Sequence, residues 1–264
     1  MGAIECKNAS ALACDVAPKD SHWAGTYVTL RPQYVFDVKG SYAYIGTNYG
    51  VDVVYVGIDY LPIRFGWWPT NGRVLDLTIQ EGNLLYLVDG DGLKLLDVGL
   101  SILPISKGQV DLASPGLALA VKDRYAYVIS GTKLEVVERV NDWALSSVAS
   151  LELGDSCTDI AIKGSTAYLA CWQGIKEVSI HSPSSPQIVG TEQTTKPVVK
   201  LRRDERFLYS IQADDSTVGY LFDTNSELLA AGKHNVDHWV RGVSYEGDKV
   251  YWINWVWLNA RKYD

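Results

Sequence analysis

Two carboxylates separated by a single glycine, Asp89 and Asp91, are the first residues whose types and spacing suggest chemistry. Oxygen ligands at this spacing can hold a hard cation, so calcium is the one cofactor considered for this chain, although none is assigned. The segment Asp89-Gly-Asp-Gly92 lacks the remaining ligands of a complete calcium loop. An Asp-Gly pair is also typical of a tight hairpin turn, and the sequence favours this second interpretation.

A pair of histidines, His234 and His238, is the next candidate for metal binding. Two histidines four residues apart face one ligand only on a helix, and this segment is predicted to lie in a loop. Neither histidine is therefore assigned as a metal ligand. The sequence has no Gly-x-Ser-x-Gly motif, which marks the nucleophile of a large class of hydrolases. No catalytic residue is assigned, and a non-enzymatic function is favoured.

Two of the four cysteines, Cys157 and Cys171, are predicted to form a disulfide across a hairpin. If residues 163–165 form a three-residue loop, Ile162 faces Thr166 and the same register places the two cysteines opposite each other. A two-residue loop would leave them diagonal. Facing α-carbons at a non-hydrogen-bonded position lie about 4.5 Å apart, near the short end of disulfide geometry.

The other two cysteines, Cys6 and Cys14, flank a short polar segment and are predicted to close a small loop that tethers the N-terminus. Disulfides persist in oxidising compartments and are rare in the cytosol. Two bridges would therefore place the protein outside the cytoplasm, in the periplasm, on the cell surface or among secreted proteins. The sequence carries no signal peptide, and a mature chain from which the signal has been removed would look the same.

A tyrosine recurs through the chain at intervals of 41 or 42 residues, within short runs of β-forming side chains. These tyrosines are Tyr44, Tyr86, Tyr127, Tyr168, Tyr209 and Tyr251. Four residues before most of them lies a Gly or Asp, and both types tolerate the left-handed backbone of short hairpins. Apolar runs flank each turn and two more follow it, so each period contains four short strands.

Four short strands in about 41 residues form one blade of a β-propeller. Six such periods predict an all-β, six-bladed β-propeller. The last period ends after its third strand, and residues 26–30 are predicted to supply the fourth and so remove the open sheet edge. Residues 1–25 are then a lead-in, and residues 26–264 form one domain. A β-sandwich of evenly spaced hairpins is the alternative, but a sandwich has no reason to keep a constant period.

The repeats also resemble a known family. An Ala-Tyr-hydrophobic motif, a Gly-x-hydrophobic motif and a Ser-Pro-x-x-Pro turn followed by two hydrophobic residues and Gly are clearest in the fourth blade. They occupy residues 166–169, 174–175, 182–186 and 188–190. In these motifs the chain resembles the LVIVD-type bacterial β-propeller, with partial matches over residues 26–264. The resemblance implies an extracytoplasmic propeller and no defined chemistry.

Alignment of the first strands of the blades places charged residues near the central channel. These residues are Asp37, Asp76, Asp159, Lys200, Arg202 and Arg241. Such mixed charges are expected to pair across the channel or to be solvated. Carboxylates also surround the channel of calcium-dependent lactonase-type propellers, but those need a Glu and several Asn at the mouth, which have no match here.

Seven of the nine tryptophans gather in the predicted closing blade, at its edges and in the adjoining first blade. They are Trp23, Trp67, Trp68, Trp239, Trp252, Trp255 and Trp257. These indoles either seal the ring or form a binding surface, because Trp is enriched in binding hot spots and offers a stacking face.

Strand-end loops on a rigid scaffold usually carry function. We therefore predict a binding face where the loops between second and third strands meet the connections between blades. Its predicted residues are Trp68, Asp89, Asp91, Trp172, Gln173, Asp214, Trp239 and Trp255.

Charge and composition limit the partners of such a face. A net charge of −7 argues against nucleic acid, and no apolar run is long enough to span a membrane. The resulting hypothesis is a monomeric, extracytoplasmic protein-binding module, either a surface protein or a specific inhibitor or immunity-type partner. One alternative is a divalent-metal-dependent hydrolase or lyase acting at the channel. The other is a glycan-binding propeller that uses the Trp cluster.

Overall fold

The structure is a computed structural model that describes most of the chain from residue 33 onward. The described residues are 33–58, 62–80, 82–100, 103–203, 207–213, 216–222, 228–235, 242–246, 249–253 and 258–262. Within these ranges, β-strands form six antiparallel sheets, five with four strands and one with three. The prediction of an all-β, six-bladed β-propeller is confirmed. None of the described residues belongs to a helix capable of spanning a bilayer.

In the first three blades, the strands follow one another in chain order from the innermost to the outermost. Blade 1 contains β1 (Gln33–Lys39), β2 (Tyr42–Thr47), β3 (Gly50–Tyr55) and β4 (Ile63–Pro69). Blade 2 contains β5 (Asp76–Gln80), β6 (Leu84–Asp89), β7 (Gly92–Asp97) and β8 (Ile105–Val110). Blade 3 contains β9 (Gly116–Lys122), β10 (Tyr125–Ser130), β11 (Lys133–Asn141) and β12 (Ala144–Glu152).

The remaining sheets repeat this order. Blade 4 contains β13 (Cys157–Lys163), β14 (Thr166–Cys171), β15 (Gly174–Ser179) and β16 (Gln187–Gln193). Blade 5 contains β17 (Val198–Arg203), β18 (Phe207–Gln212), β19 (Ser216–Phe222) and β20 (Leu228–Asn235), and blade 6 contains β21 (Gly242–Glu246), β22 (Lys249–Ile253) and β23 (Leu258–Lys262). The predicted lead-in, the closing strand at 26–30 and the pair Cys6 and Cys14 lie outside the described residues.

The segment that contains His234 was predicted to be a loop between blades. His234 lies within β20, so the prediction that it belongs to a loop was wrong. Its predicted neighbour His238 lies outside the described residues. Residues four apart in an extended strand are separated by about 13 Å, whereas a pair of ligands at this spacing needs a helix to bring them together.

The core consists of apolar layers between neighbouring blades. The repeat tyrosines of blades 1 to 5 lie in the second strands and are at most 4% exposed. Tyr44 of blade 1 packs with Leu77 and Leu85 of blade 2, and Tyr168 of blade 4 packs with Val198 and Leu208 of blade 5. The constant period of the tyrosine therefore reflects one packing role repeated around the ring.

The turns between first and second strands follow the predicted chemistry. Gly40, Gly82, Asp123 and Gly164 all have φ between 55° and 76°, a left-handed conformation that Gly adopts without steric cost and Asp tolerates. These residues lie in the tight connections between the first and second strands of a blade. Their spacing is the sequence signal for the blade period.

The hairpin that carries Cys157 and Cys171 differs in detail from the prediction. Lys163 pairs with Thr166, so the turn has two residues, and the prediction of a three-residue loop was wrong. A β-bulge at Thr158 then shifts the register and returns Cys157 to the position opposite Cys171. The two cysteines form a disulfide with α-carbons 3.9 Å apart, and that prediction is confirmed.

Candidate functional site

The blades present two faces with different connections. The loop face carries the turns between second and third strands and the connections from each fourth strand to the next blade. The hairpin face carries the turns between first and second strands and between third and fourth strands. The first strands of the blades surround the channel between these faces, as each first strand contacts the first strand of a neighbouring blade in blades 1 to 5.

The turns of the loop face are anchored by one buried residue, which lies three positions after the repeat tyrosine. In blades 1 to 5 this residue is Thr47, Asp89, Ser130, Cys171 and Gln212, all at most 3% exposed. The Thr47 hydroxyl donates to the Gly50 carbonyl at 2.9 Å, whereas the Ser130 hydroxyl donates to the Ser114 carbonyl at 2.7 Å. Because such contacts hold the turns internally, the loop face is a pre-organised surface.

In blade 2 the predicted cation ligands Asp89 and Asp91 are engaged by protein groups. The fully buried Asp89 carboxylate pairs with the Lys94 ammonium at 2.5 Å and accepts the Asp91 N–H at 2.9 Å. The half-exposed Asp91 accepts the Asn71 amide at 2.5 Å. Asp89 therefore shapes the turn, and only Asp91 is accessible to a partner. In the part of the chain that the structure describes, no group of three or more His, Cys, Asp or Glu side chains lies close enough to hold a metal ion together.

In blade 4 the turn between the second and third strands presents Trp172 and Gln173. The Trp172 side chain is 69% exposed, whereas the backbone N–H of Trp172 donates to the Ser156 carbonyl at 3.0 Å. The Gln173 N–H donates to the buried Asp155 carboxylate at 3.0 Å. Cys171 of the disulfide directly precedes the indole. Trp172 is thus an exposed aromatic side chain on a backbone held from both sides.

The other predicted binding residues have different surroundings. Trp68 is only partly exposed because its ring packs against the apolar core between blades 1 and 2. Asp214, Trp239 and Trp255 lie outside the described residues. The sequence prediction did not include Tyr49, which is 64% exposed in the loop-face turn of blade 1. The sequence could have revealed it, because Tyr49 occupies in blade 1 the turn position that Gln173 occupies in blade 4.

Three aspartates of the channel link neighbouring blades through backbone hydrogen bonds. The carboxylate of Asp37 accepts the Ile79 N–H at 2.8 Å, that of Asp76 accepts the Leu119 N–H at 2.8 Å, and that of Asp159 accepts the Leu201 N–H at 2.9 Å. These bonds join blade 1 to 2, blade 2 to 3 and blade 4 to 5. The sequence placed these residues near the channel but did not reveal their backbone partners.

Ion pairing in the channel is uneven among these carboxylates. Asp159 pairs with the Arg202 guanidinium at 3.3 Å and has the Lys200 ammonium at 4.0 Å; both partners belong to the adjacent blade, whereas the prediction was pairing across the channel. The remaining predicted channel charge, Arg241, lies outside the described residues. Burial raises the pKa of Asp76 from 3.8 to about 7, against the lowering effect of the Leu119 N–H, and the nearby Asp159 charge raises it further.

Comparison with known proteins supports the architecture. No protein-family model and no curated protein sequence matches the chain. Among solved structures, a functionally unknown protein from Desulfotomaculum acetoxidans is similar with a TM-score of 0.74 at 11% identity, over 89% of this chain and 84% of that one. Two further similar structures are β-propellers.

The first is the periplasmic gluconolactonase of Pseudomonas aeruginosa, with a TM-score of 0.65 at 12% identity, over 76% of this chain and 70% of that one. The second is BamB from Moraxella catarrhalis, with a TM-score of 0.58 at 10% identity, over 86% of this chain and 80% of that one. At these identities the likeness extends to the fold alone. Together with the six sheets of the structure, it identifies the chain as a six-bladed β-propeller.

Proposed function

We propose that this protein is an extracytoplasmic protein-binding module that engages its partner through the loop face. The observation that carries the proposal is Trp172, an indole that is 69% exposed on an anchored turn. Tyr49 adds a second exposed aromatic ring to the same face. Trp and Tyr are enriched among the few residues that supply most of the binding energy of protein interfaces.

The anchoring of the Trp172 turn supports this function energetically. Association loses free energy when flexible loops and side chains become ordered at an interface. Here the disulfide of Cys171 and the hydrogen bonds that Ser156 and Asp155 accept already order the backbone beside the indole. A partner that covers Trp172 therefore gains apolar burial with little additional ordering of this turn.

The proposed location rests on the same disulfide. The Cys157–Cys171 bridge would persist in an oxidising compartment and is uncommon in cytosolic proteins. The fold likeness to a periplasmic gluconolactonase is compatible with that setting. Membership of the LVIVD-type propellers is part of this proposal, supported by the motifs of blade 4 at residues 166–169 and 182–190.

Two exposed tryptophans on opposite faces provide the test. Trp172 lies on the loop face, whereas Trp143, which is 62% exposed, lies on the hairpin face in the turn between β11 and β12. The immobilised protein is used to capture partners from the extracytoplasmic fraction of its source, and the captured protein is then titrated in purified form. We expect Trp172→Ala to weaken its binding by about tenfold or more, and Trp143→Ala to leave it within about twofold.

An equal loss in both variants, or no loss in Trp172→Ala, would contradict the proposal. Glycan binding is the second candidate for the same surface, because an exposed indole also offers a stacking face for a sugar ring. A glycan array probed with the wild type and with Trp172→Ala separates the two. Saturable binding of one glycan class that requires Trp172, without a captured protein, would favour the glycan.

The channel supports a different candidate, a hydrolase or lyase. The observation in its favour is Asp76, because burial raises its pKa to about 7, and a group that titrates near neutrality suits general acid–base catalysis. A panel of lactones and esters tests this activity. Turnover that Asp76→Asn abolishes, while Trp172-dependent capture persists, would establish it as separate from partner binding.

A further inference from the structure

A cavity of about 390 Å³ opens at the hairpin-face end of the channel. Four blades contribute to its lining. The polar and glycine residues of the lining are Thr78 and Gln80 of blade 2, Lys122 of blade 3, Gly164 of blade 4 and Arg203 of blade 5. Gln80, Lys122 and Arg203 are each the last residue of the first strand in their blade. The repeat therefore directs equivalent positions of different blades toward one space, at the end of the channel opposite the loop face.

The polar groups around this cavity are mainly donors. Lys122 and Arg203 bring two cations, and Gln80 and Thr78 bring an amide and a hydroxyl, whereas none of its lining residues in the described part of the chain is acidic. The chain as a whole carries a net charge of −7. Low-dielectric walls concentrate the field of charges that line a cleft, so these two cations favour an anion in the cavity.

Lys122 is held in place at the rim of the cavity. Its ammonium donates to the Gly164 carbonyl of the next blade at 2.6 Å. This bond uses one of three N–H donors and leaves two for another acceptor. The Thr78 hydroxyl lies 3.5 Å from the Asp37 carboxylate, at the limit of a hydrogen bond, so it also remains able to donate to a ligand.

Arg203 differs from the other arginines whose side chains the structure describes. Arg64 pairs with Asp52, Arg124 with Glu138, Arg139 with Asp142 and Arg202 with Asp159, and Arg73 has an interaction of its own. Among the described residues, no hydrogen bond or ion pair engages the Arg203 guanidinium. Its five donors form a planar fork that matches a carboxylate or phosphate in bidentate geometry.

We propose that this cavity binds the oxyanion group, a carboxylate or a phosphate, of a small ligand. The Arg203 fork would bind two oxygens of the anion, and the free donors of Lys122, with the Gln80 amide, would bind the remaining lone pairs. The site is independent of the proposed partner surface, because it lies at the other end of the channel. A failure of partner binding leaves it untouched.

Titration calorimetry with inorganic phosphate and with citrate as separate probes tests the site, at constant ionic strength and with the full chain. Arg203→Gln and Lys122→Gln should each weaken the better probe by about tenfold, since each removes charge-assisted hydrogen bonds. Lys133→Gln is the matched control. It removes the same charge at the loop face, where Lys133 pairs with Glu152 at 3.0 Å, and should change affinity by less than about twofold.

The two probes distinguish a phosphoryl ligand from a carboxylate ligand. Arg203→Lys keeps the charge but removes the planar fork, so it should bind with intermediate affinity, and it replaces Arg203→Gln if that variant does not fold. The proposal is overturned if neither probe binds the wild type below about 10 mM. It is also overturned if the cavity variants and Lys133→Gln weaken binding equally, because that result reports only net charge.

Discussion

Blades 2 and 4 hold the same turn of the loop face by different chemistry. Asp89 in blade 2 and Cys171 in blade 4 occupy the same buried position, three residues after the repeat tyrosine. Asp89 forms an ion pair with Lys94, whereas Cys171 is covalently bound to Cys157. The fold therefore requires an anchored turn at this position but leaves the chemistry of the anchor free.

The channel ends of the same two blades differ in a related way. Asp76 and Asp159 lie at equivalent positions, and both accept a backbone N–H from the next blade. The blade after Asp159 supplies Lys200 and Arg202 as cations, but the blade after Asp76 has Ala118 in place of Lys200. Equivalent carboxylates therefore have very different electrostatic surroundings.

The ion pair of blade 2 offers the largest expected loss of stability. Asp89→Asn removes the charge that neutralises Lys94, whose side chain is only 8% exposed. Removing one partner of a buried pair typically costs roughly 3–5 kcal/mol, because the other charge stays buried. We expect a decrease of about 3 kcal/mol in the free energy of unfolding, since Asp91 lies 3.4 Å from the same ammonium. Urea unfolding followed by tryptophan fluorescence measures it.

The double variant Asp89→Asn/Lys94→Met serves as the control for this prediction. Replacing a buried ion pair by neutral groups of similar volume is often close to neutral, so the second substitution should restore most of the lost stability. A double variant as unstable as Asp89→Asn would show that the turn needs the ionic anchor itself. The comparison with the covalent anchor of blade 4 would then fail.

The disulfide of blade 4 is expected to contribute a similar amount to the free energy of unfolding. Cys157 and Cys171 are 14 positions apart, and a cross-link over about 15 residues is worth around 3 kcal/mol in the chain-entropy model. The variant Cys157→Ala/Cys171→Ala should lose about that amount in denaturant unfolding. A reductant present during unfolding should lower the stability of the wild type more than that of the double variant, which keeps only the predicted Cys6–Cys14 bridge. Equal stability of the two proteins without reductant would contradict the prediction.

The disulfide was predictable from the sequence although the predicted turn was one residue too long, and the reason is physical. The tyrosine period and the turn residues are local signals, so the blades and the hairpin of Cys157 and Cys171 were predictable. The bulge at Thr158 was not predictable in the same way, because no turn residue or spacing marks it in the sequence. Register shifts also interrupt the first hairpins of blades 1, 3 and 5, and the Thr158 hydroxyl donates to the Val199 carbonyl of the next blade at 3.1 Å.

The candidate site likewise has features that local sequence signals predict and features that depend on packing between blades. The loop-face turns with Asp91 and Trp172 were predictable because turn residues and strand spacing locate them. The ion pair of Asp89 with Lys94 and the backbone partner of Asp76 were not, because both depend on how side chains point once the blades have packed. The unpaired state of Arg203 is likewise a property of the assembled channel.

The channel carboxyl of blade 2 makes stability depend on pH. Burial raises the pKa of Asp76 from 3.8 to about 7 in the folded protein, so the folded state binds more protons than the unfolded state between these values. Its contribution to stability is therefore lost as pH rises from about 4 to about 7. Asp76→Asn cannot ionise but still accepts the Leu119 N–H. It should exceed the wild type by up to about 4 kcal/mol at pH 8 and match it near pH 4, because one pKa unit corresponds to about 1.4 kcal/mol.

Asp159→Asn sharpens the same comparison between blades. This substitution removes a charge that Arg202 neutralises, so it should bring a much smaller gain in stability at pH 8 than Asp76→Asn, limited to relief of the repulsion between Asp159 and ionised Asp76. Unfolding free energies of both variants and the wild type, measured from pH 4 to pH 8, decide the matter. A gain of similar size in both variants would mean that the cations of blade 5 make no difference.

The smallest expected effects belong to the two exposed tryptophans. Trp172→Ala should change the free energy of unfolding by less than about 0.5 kcal/mol, as is usual for a surface side chain without buried contacts. Trp143→Ala should cost slightly more, about 0.5–1 kcal/mol, because the Lys107 ammonium lies 3.7 Å from the centroid of its ring and a cation–π contact is lost.

A smaller loss of unfolding free energy in Trp172→Ala than in Trp143→Ala is expected if Trp172 serves binding and not the fold. Urea unfolding of the two variants measures this difference. The disulfide and Asp155 hold the backbone beside Trp172, so the turn keeps its shape when the indole is removed. If Trp172→Ala destabilises the protein more than Trp143→Ala does, the indole helps to hold the blade together. Its exposure would then no longer argue for a partner, and the covalent anchor of blade 4 would serve the fold alone, as the ionic anchor of blade 2 does.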